Sequence, residues 1–350
     1  MANLKIENVR ITGVAACVPP NIVENSESEL FTDKKELSQY IESTGVERRH
    51  VADNETCTSD LCFAAAEKLL SELKWDRSEI ECLIFVTQTP DYIYPATAGI
   101  LQQRLGLPTS CMAFDITMSC PGWVYGLSTI SALISAGKIK KALLLVGETV
   151  SKTRSPYDNL NIITGDAGTA TALVYEENAP SMVFDLNTDG KDYNAVLIPD
   201  GGFRNRTTEE SLILKKGSDG VLRNRLHVHM DGAAIFSFAI TMAPKSIKNL
   251  MAHYDIKDED VDYYLLHQAN LMITKIIQRK LKTNDSKFFN NITDFGNTSS
   301  SAIPLMIVSK ARNNIQNKKI IACGFGGGLA WGSVYFELTD IVCPELIIYK

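Results

Sequence analysis

Short, almost uninterrupted apolar runs constrain this chain more than any other feature of its sequence. They are Cys82–Val86, Ala142–Val146, Thr171–Tyr175, Tyr263–Leu266 and Ile320–Cys323. A strand with one wet face alternates apolar and polar residues, whereas a strand covered on both faces does not. The runs therefore predict buried strands, and helices must cover them. Helical periods fall between the runs: Ser59–Leu73, with Leu61, Ala65 and Leu69 on one stripe, then Ala96–Leu105, Gly122–Ala136 and Ser246–Tyr254. The expected class is mixed α/β. At 350 residues the chain is long enough for one large core or two similar ones. No Pro/Ser-rich linker divides it. A soft boundary at Asn178-Ala179-Pro180 separates two stretches of comparable length and similar strand–helix–strand order. We read residues 1–180 and 181–350 as two similar α/β halves, although no repeat is visible in the sequence itself.

Composition excludes several classes. The net charge is −6 and no basic run is interleaved with aromatics, so a nucleic-acid partner is not expected. No apolar run approaches the roughly 18–20 residues that span a bilayer. Glu7 interrupts the N-terminus where a signal peptide would stay apolar, so the expectation is a cytoplasmic protein without a membrane partner. There are 8 cysteines and no CxxC pair, so no disulfide framework is expected and most read as small buried residues. His227 and His229 share a strand face but lack partners at metal spacing, and no metal site is expected. Gly324-Phe325-Gly326-Gly327-Gly328 is followed by no Gly-Lys-Ser/Thr, so it is not a phosphate loop. Gly201–Arg206 reads as a surface loop.

Three stretches carry candidate chemistry. In Asp115-Ile116-Thr117-Met118-Ser119-Cys120-Pro121-Gly122-Trp123 a cysteine stands just before a Pro-Gly pair that opens a helical stretch. A helix N-terminus favours a thiolate, the reactive form of cysteine. The alternative is an inert buried thiol. In Leu265-Leu266-His267-Gln268-Ala269-Asn270 a histidine ends an apolar strand, where crevices of α/β proteins take ligands. It could equally be a hydrogen-bonded core histidine. In Asp294-Phe295-Gly296-Asn297-Thr298-Ser299 an asparagine sits in a turn before a small-residue helix, either as a plain cap or as an amide donor. Together the three supply a nucleophile, a base or donor, and a second donor.

In this order, with Thr44-Gly45-Val46-Glu47-Arg48-Arg49-His50 followed by Asn54-Glu55-Thr56, Gly165-Asp166-Ala167-Gly168 and Phe325–Ser333, these motifs resemble the β-ketoacyl-acyl-carrier-protein synthase III enzymes of the thiolase superfamily, over essentially the whole chain. The resemblance implies a five-layered αβαβα thiolase fold of two duplicated halves, and a homodimer. It implies that Cys120 is acylated from acyl-coenzyme A or acyl-carrier protein, and that His267 and Asn297 assist decarboxylation of malonyl-carrier protein. The product would be a 3-oxoacyl-carrier protein, for fatty acid or specialised acyl and polyketide synthesis. It further implies an oxyanion hole from the Cys120 and Gly327 N–H groups, acyl-pocket roles for Tyr94 and Thr164, and substrate or carrier contacts from Asn270, Lys275, Arg279 and Lys280. This chemistry needs no metal or redox cofactor.

The chain departs from the family where coenzyme A is usually gripped. The customary Trp and Arg fall near Gln39 and Ser43, another Arg is Met272, and a third is missing near Asp158-Asn159. Thr164 stands where a bulky aromatic often closes the acyl pocket. A longer or unusual acyl group is therefore expected. Two other readings stay open: a relative that acylates oxygen or nitrogen without decarboxylation, and a non-catalytic partner of a ketosynthase pair. Intact Cys120, His267 and Asn297 argue against both. A hydroxymethylglutaryl-type synthase would need a glutamate where this chain has Gln88.

Overall fold

The computed structural model describes residues 2–350. Two sheets carry the fold. The six-stranded one runs Ile347–Ile348, Val9–Val18, Ala167–Tyr175, Lys141–Glu148, Cys82–Val86 and Met112–Ile116. The five-stranded one runs Ala2–Ile6, Met182–Thr188, Ala330–Leu338, Lys318–Gly326 and Tyr263–Leu266. Every apolar run singled out above lies in one of these strands.

The duplication invisible in the sequence is visible in the pairing. In the first sheet Cys82–Val86 is parallel to Lys141–Glu148, which is antiparallel to Ala167–Tyr175, which is antiparallel to Val9–Val18. In the second, Tyr263–Leu266, Lys318–Gly326, Ala330–Leu338 and Met182–Thr188 repeat that order and those directions. The outer strand Met112–Ile116 has only a vestige opposite it, a single parallel bridge from Tyr264 to Phe288. The chain ends cross between sheets. Ala2–Ile6 pairs with Met182–Leu186 of the second sheet, and Ile347–Ile348 pairs with Cys17–Val18 of the first.

Three apolar clusters define the layers. One joins an outer face of the first sheet to the helices Thr58–Leu73 and Thr97–Arg104. A second joins the second sheet to Gly232–His253 and Leu271–Leu281. The third lies between the sheets, around the helix Gly122–Gly137 and the short helix Ala302–Met306. The order is helix, sheet, helix, sheet, helix. Gly122–Gly137 is buried over its first turns and on most of its surface, with Ala132, Ala136 and Gly137 exposed towards its C-terminal end, which explains why its sequence is largely apolar rather than striped. Trp123 in its first turn is fully buried, its Nε1 donating to Thr171 Oγ1 at 3.1 Å. Fully burying such a side chain contributes on the order of 2–3 kcal/mol.

One helix is longer than the sequence suggests. The expected Ser246–Tyr254 is the end of Gly232–His253, with Pro244 inside it and Asp231 capping Ala234 N at 3.0 Å. A proline reads as a helix boundary because it removes an N–H, but packing on the second sheet carries this helix through it. Among the described residues no helix is long and apolar enough to cross a membrane.

Candidate active site

The site is built where equivalent elements of the two halves meet. Cys120 precedes the buried helix Gly122–Gly137; Asn297 precedes its counterpart Ala302–Met306. His267 follows Tyr263–Leu266, as Thr87 follows Cys82–Val86. The structure thus brings together all three residues expected to carry chemistry.

Glycines make the convergence possible. Strand Lys318–Gly326 passes so close to the start of the helix at Cys120 that a Cβ on Gly324 would lie 2.6 Å from Pro121 Cα. One on Gly326 would lie 2.7 Å from Cys120 Cβ and 2.8 Å from its Sγ. On the opposite side, a Cβ on Gly165 would stand 2.0 Å from the Phe295 carbonyl oxygen. The Gly165 N–H instead donates to Asn297 O at 3.1 Å. Gly296 turns the chain there at φ +65°, a region that favours glycine. The Gly-Asp-Ala-Gly and Phe-Gly-Asn motifs are therefore two sides of one contact.

Ser299, which sequence reasoning missed, connects the three candidates. Its N–H donates to Asn297 Oδ1 at 2.9 Å, its backbone hydrogen-bonds the His267 ring, and its hydroxyl lies 3.7 Å from Cys120 Sγ. It adopts φ +52°, unusual for a residue with a side chain. Such strain persists only where the surroundings over-determine it. Because Asn297 Oδ1 is occupied as an acceptor, its amide orientation leaves Nδ2 as a donor. His267 is buried, with its backbone N–H on Cys323 O at 2.9 Å and its ring edge-on to Phe325 at 5.3 Å. Its Nδ1 has no partner. Burial pushes His267 down to about 3, so the ring is neutral near pH 7. Burial pushes the Cys120 thiol up to about 11; the Ser299 hydroxyl opposes this. The helix start favours a thiolate, but desolvation outweighs it and the resting nucleophile is a thiol.

Two further charged groups were not foreseen. Glu148 is fully buried beneath the site. Its Oε1 accepts from Ser300 Oγ at 3.0 Å; its Oε2 accepts from Gln88 N–H at 3.1 Å, Thr89 Oγ1 at 3.0 Å and Thr87 Oγ1 at 3.3 Å. It ties the segment after Cys82–Val86 to the turn before Ala302–Met306. Burial pushes its carboxyl up to about 7. Arg154 donates from Nε to Thr164 Oγ1 at 3.2 Å. A buried carboxylate below a small-residue turn leaves no local sequence signal, since its donors come from two segments distant from it in sequence.

The remaining candidates differ in setting. Thr164 is 2% exposed and bridges backbone to backbone with Asn297. Tyr94 is 89% exposed, beside exposed Tyr92 and Ile93. Ser119 Oγ donates to Gly327 O at 3.0 Å, fixing that glycine beside the nucleophile. Asn270 Oδ1 caps the helix Leu271–Leu281 through Ile273 N–H at 2.8 Å, a structural use of the side chain. On that helix Lys275 and Arg279 are exposed one turn apart, while Lys280 Nζ is held by Ile240 O at 2.9 Å. At the positions that lack the usual coenzyme A residues, Gln39 is exposed, Met272 is exposed, and Asp158 is occupied by Arg223 at 2.5 Å. His227 and His229 are both held by Asn224.

Comparison with known proteins identifies the family. Residues 251–338 match the 3-oxoacyl-[acyl-carrier-protein] synthase III C-terminal family model, and residues 114–190 match the 3-oxoacyl-[acyl-carrier-protein] synthase III model. A putative 3-oxoacyl-[acyl-carrier-protein] synthase 3 of Campylobacter jejuni is 32% identical, over 99% of this chain and 98% of its own. A β-ketoacyl-[acyl-carrier-protein] synthase III of Streptococcus agalactiae is 34% identical, over 94% of this chain and 99% of its own. The crystal structure of a 3-oxoacyl-(acyl-carrier protein) synthase from Burkholderia xenovorans superposes with a TM-score of 0.92 at 34% identity, covering 99% of this chain and 98% of that one. A priming β-ketosynthase of the R1128 polyketide pathway, at 20% identity and a TM-score of 0.81 over 96% and 97% of the two chains, shares the fold. The chain belongs to the β-ketoacyl-[acyl-carrier-protein] synthase III family, acyltransferases of the thiolase fold.

Proposed function

We propose that the protein condenses an acyl thioester with malonyl-carrier protein, through an acyl group carried on Cys120, to give a 3-oxoacyl-carrier protein. The observation that carries this reading is the convergence of Cys120, His267 and Asn297 on Ser299. The Cys120 sulfur attacks the acyl carbonyl, its proton passes to a base, and the donor thiol leaves. Neutral His267 is the base available on the same hub. The N–H groups of Cys120 and Gly327 stabilise the tetrahedral oxyanion. Malonyl thioester then loses CO2, and the two electrons of the broken C–C bond collect on the thioester enolate. The Asn297 Nδ2 group donates to that oxygen, and His267 joins it when its ring N–H turns from the Ser299 backbone to the enolate. The enolate carbon attacks the acyl-Cys120 carbonyl, and the sulfur departs as the 3-oxoacyl product forms.

The weakened coenzyme A grip favours an acyl donor other than the acetyl-coenzyme A of bulk fatty acid initiation. Carrier protein docks on the Lys275–Arg279 face. The homodimer forms along the open edge of Met112–Ile116, whose N–H and C=O groups invite a second strand, and Tyr94 on the neighbouring exposed loop reaches the second copy. The reaction belongs in the cytoplasm, where acyl-carrier protein is found. Intact mass spectrometry of Cys120 acylation, followed by malonyl-carrier protein and a measurement of CO2 and 3-oxoacyl product, tests the reading. Acyl-Cys120 without CO2 release would point instead to a non-decarboxylating acyltransferase.

A further inference from the structure

Arg154 is a half-buried cation without an ion-pair partner among the described residues. Its Nε is committed to Thr164 Oγ1 at 3.2 Å, and that hydroxyl in turn donates to Leu160 O at 2.7 Å. Its Nη1 is buried and unpartnered. The nearby carboxylates are all occupied by other donors. Asp158 takes Arg223 at 2.5 Å and Leu160 N–H at 2.9 Å. Asp166 takes Ala52 N–H at 2.8 Å, Ser151 N–H at 3.0 Å and the Ser151 hydroxyl. Glu148 has its four donors described above. These acids offset the guanidinium charge through space, yet none accepts from Nη1. A buried donor left unmade costs about 1–3 kcal/mol, more when charged, so Nη1 is a donor that favours an acceptor brought by a ligand.

Its position says which ligand. Thr164 is bridged to Asn297, and Arg154 acts electrostatically on Cys120. The guanidinium, held on Thr164 Oγ1, therefore stands beside the segment that carries Asn297. The small Thr164 does not simply open space there, since the guanidinium occupies its hydroxyl side. An aliphatic chain against this wall would leave Nη1 unsatisfied and would desolvate a cation.

We propose that Arg154 is a specificity residue that selects an acyl group bearing an oxygen acceptor, such as a hydroxyl, keto or carboxylate oxygen, which completes the hydrogen bonding of Nη1. This rests on the reading of Cys120 as the acyl carrier. A competition for Cys120 among butyryl, 3-hydroxybutyryl and succinyl thioesters, each on coenzyme A and on carrier protein, read by intact mass spectrometry, tests it. The wild-type protein should load one or both oxygenated groups ahead of butyryl, and the two arms separate a neutral from an anionic acceptor. Arg154→Met should lower that preference ~10–100-fold while butyryl loading persists, the range expected for a hydrogen bond to a charged group. Arg154→Lys should restore part of it. Equal or better wild-type loading of butyryl overturns the proposal even if no variant folds, and so does an Arg154→Met that slows all three donors alike. Absence of any acyl-Cys120 sinks the condensing function itself, and this inference with it.

Discussion

Gly326→Ala is the sharpest test of how the nucleophile is housed. The new methyl would sit 2.7 Å from Cys120 Cβ and 2.8 Å from Sγ, whereas carbon atoms in contact rest ~3.5–4.0 Å apart. Roughly 1 Å must be found. Cys120 Cβ cannot supply it, because it is fixed at the start of a helix whose first turn is buried. Gly326 cannot easily retreat, because it is paired in register with Ala330. The remaining freedom is rotation of the sulfur away from Ser299. Overpacking of this kind costs about 1–3 kcal/mol, tolerable for a fold of this size. A misplacement of ~1 Å at a reacting atom costs on the order of 10²-fold in rate. The Cys120 acylation rate should therefore fall about 100-fold by mass spectrometry while thermal unfolding shifts only a few degrees. Gly99→Ala is the control: nothing lies within 4 Å of its added Cβ, and a helical alanine should leave acylation unchanged. Wild-type acylation by Gly326→Ala would refute the tight packing of Gly326 on the sulfur.

Other outcomes follow from the same geometry. Glu148, held at about 7 against an ordinary 4.5, keeps its proton in the folded state where the unfolded chain has lost it. Its contribution is fully present below pH 4.5 and is lost as pH rises to about 7, by roughly 3 kcal/mol; Glu148→Gln should flatten that part of a urea-denaturation profile, and an unchanged pH dependence would contradict the assignment. His267→Ala or Asn297→Ala should each slow CO2 release from malonyl-carrier protein by ~10²–10³, with Asn297→Ala still forming acyl-Cys120; an Asn297→Ala that decarboxylates normally would remove that residue from the mechanism. Lys275→Glu with Arg279→Glu should raise KM for malonyl-carrier protein and lessen its salt dependence, while leaving thermal stability and a small pantetheine thioester's turnover unchanged; an unaltered KM would place docking elsewhere.

Local signals made much of this legible. The apolar runs needed only their own residues to announce buried strands, and the Pro-Gly after Cys120 announced a helix start. The expected roles of Cys120, His267 and Asn297 came from motifs, and the fold then set those residues together. What escaped was set by partners distant in sequence. Ser299 looks like one of several small residues until its neighbours are seen, and Glu148 gathers donors from residues 87–89 and from Ser300. Arg154 has meaning only through the absence of a carboxylate. Even the helix position of Cys120 misled in one respect, since burial between the two sheets governs its protonation. The duplicated architecture was equally hidden, because hydrogen-bond direction and strand order preserve it where residue identity does not.

The crossing of the chain ends has a consequence for how the protein is made. Ala2–Ile6 leaves the ribosome well before its partner strand, which begins only at Met182. At about 5–20 residues per second, synthesis of the intervening chain takes on the order of 10–40 s. Throughout that time the leading segment has no sheet to join. The first sheet, for its part, closes its outer edge only when Ile347–Ile348 arrives. Each half takes a strand from the other, so a chain interrupted between them yields two fragments with open edges rather than two domains.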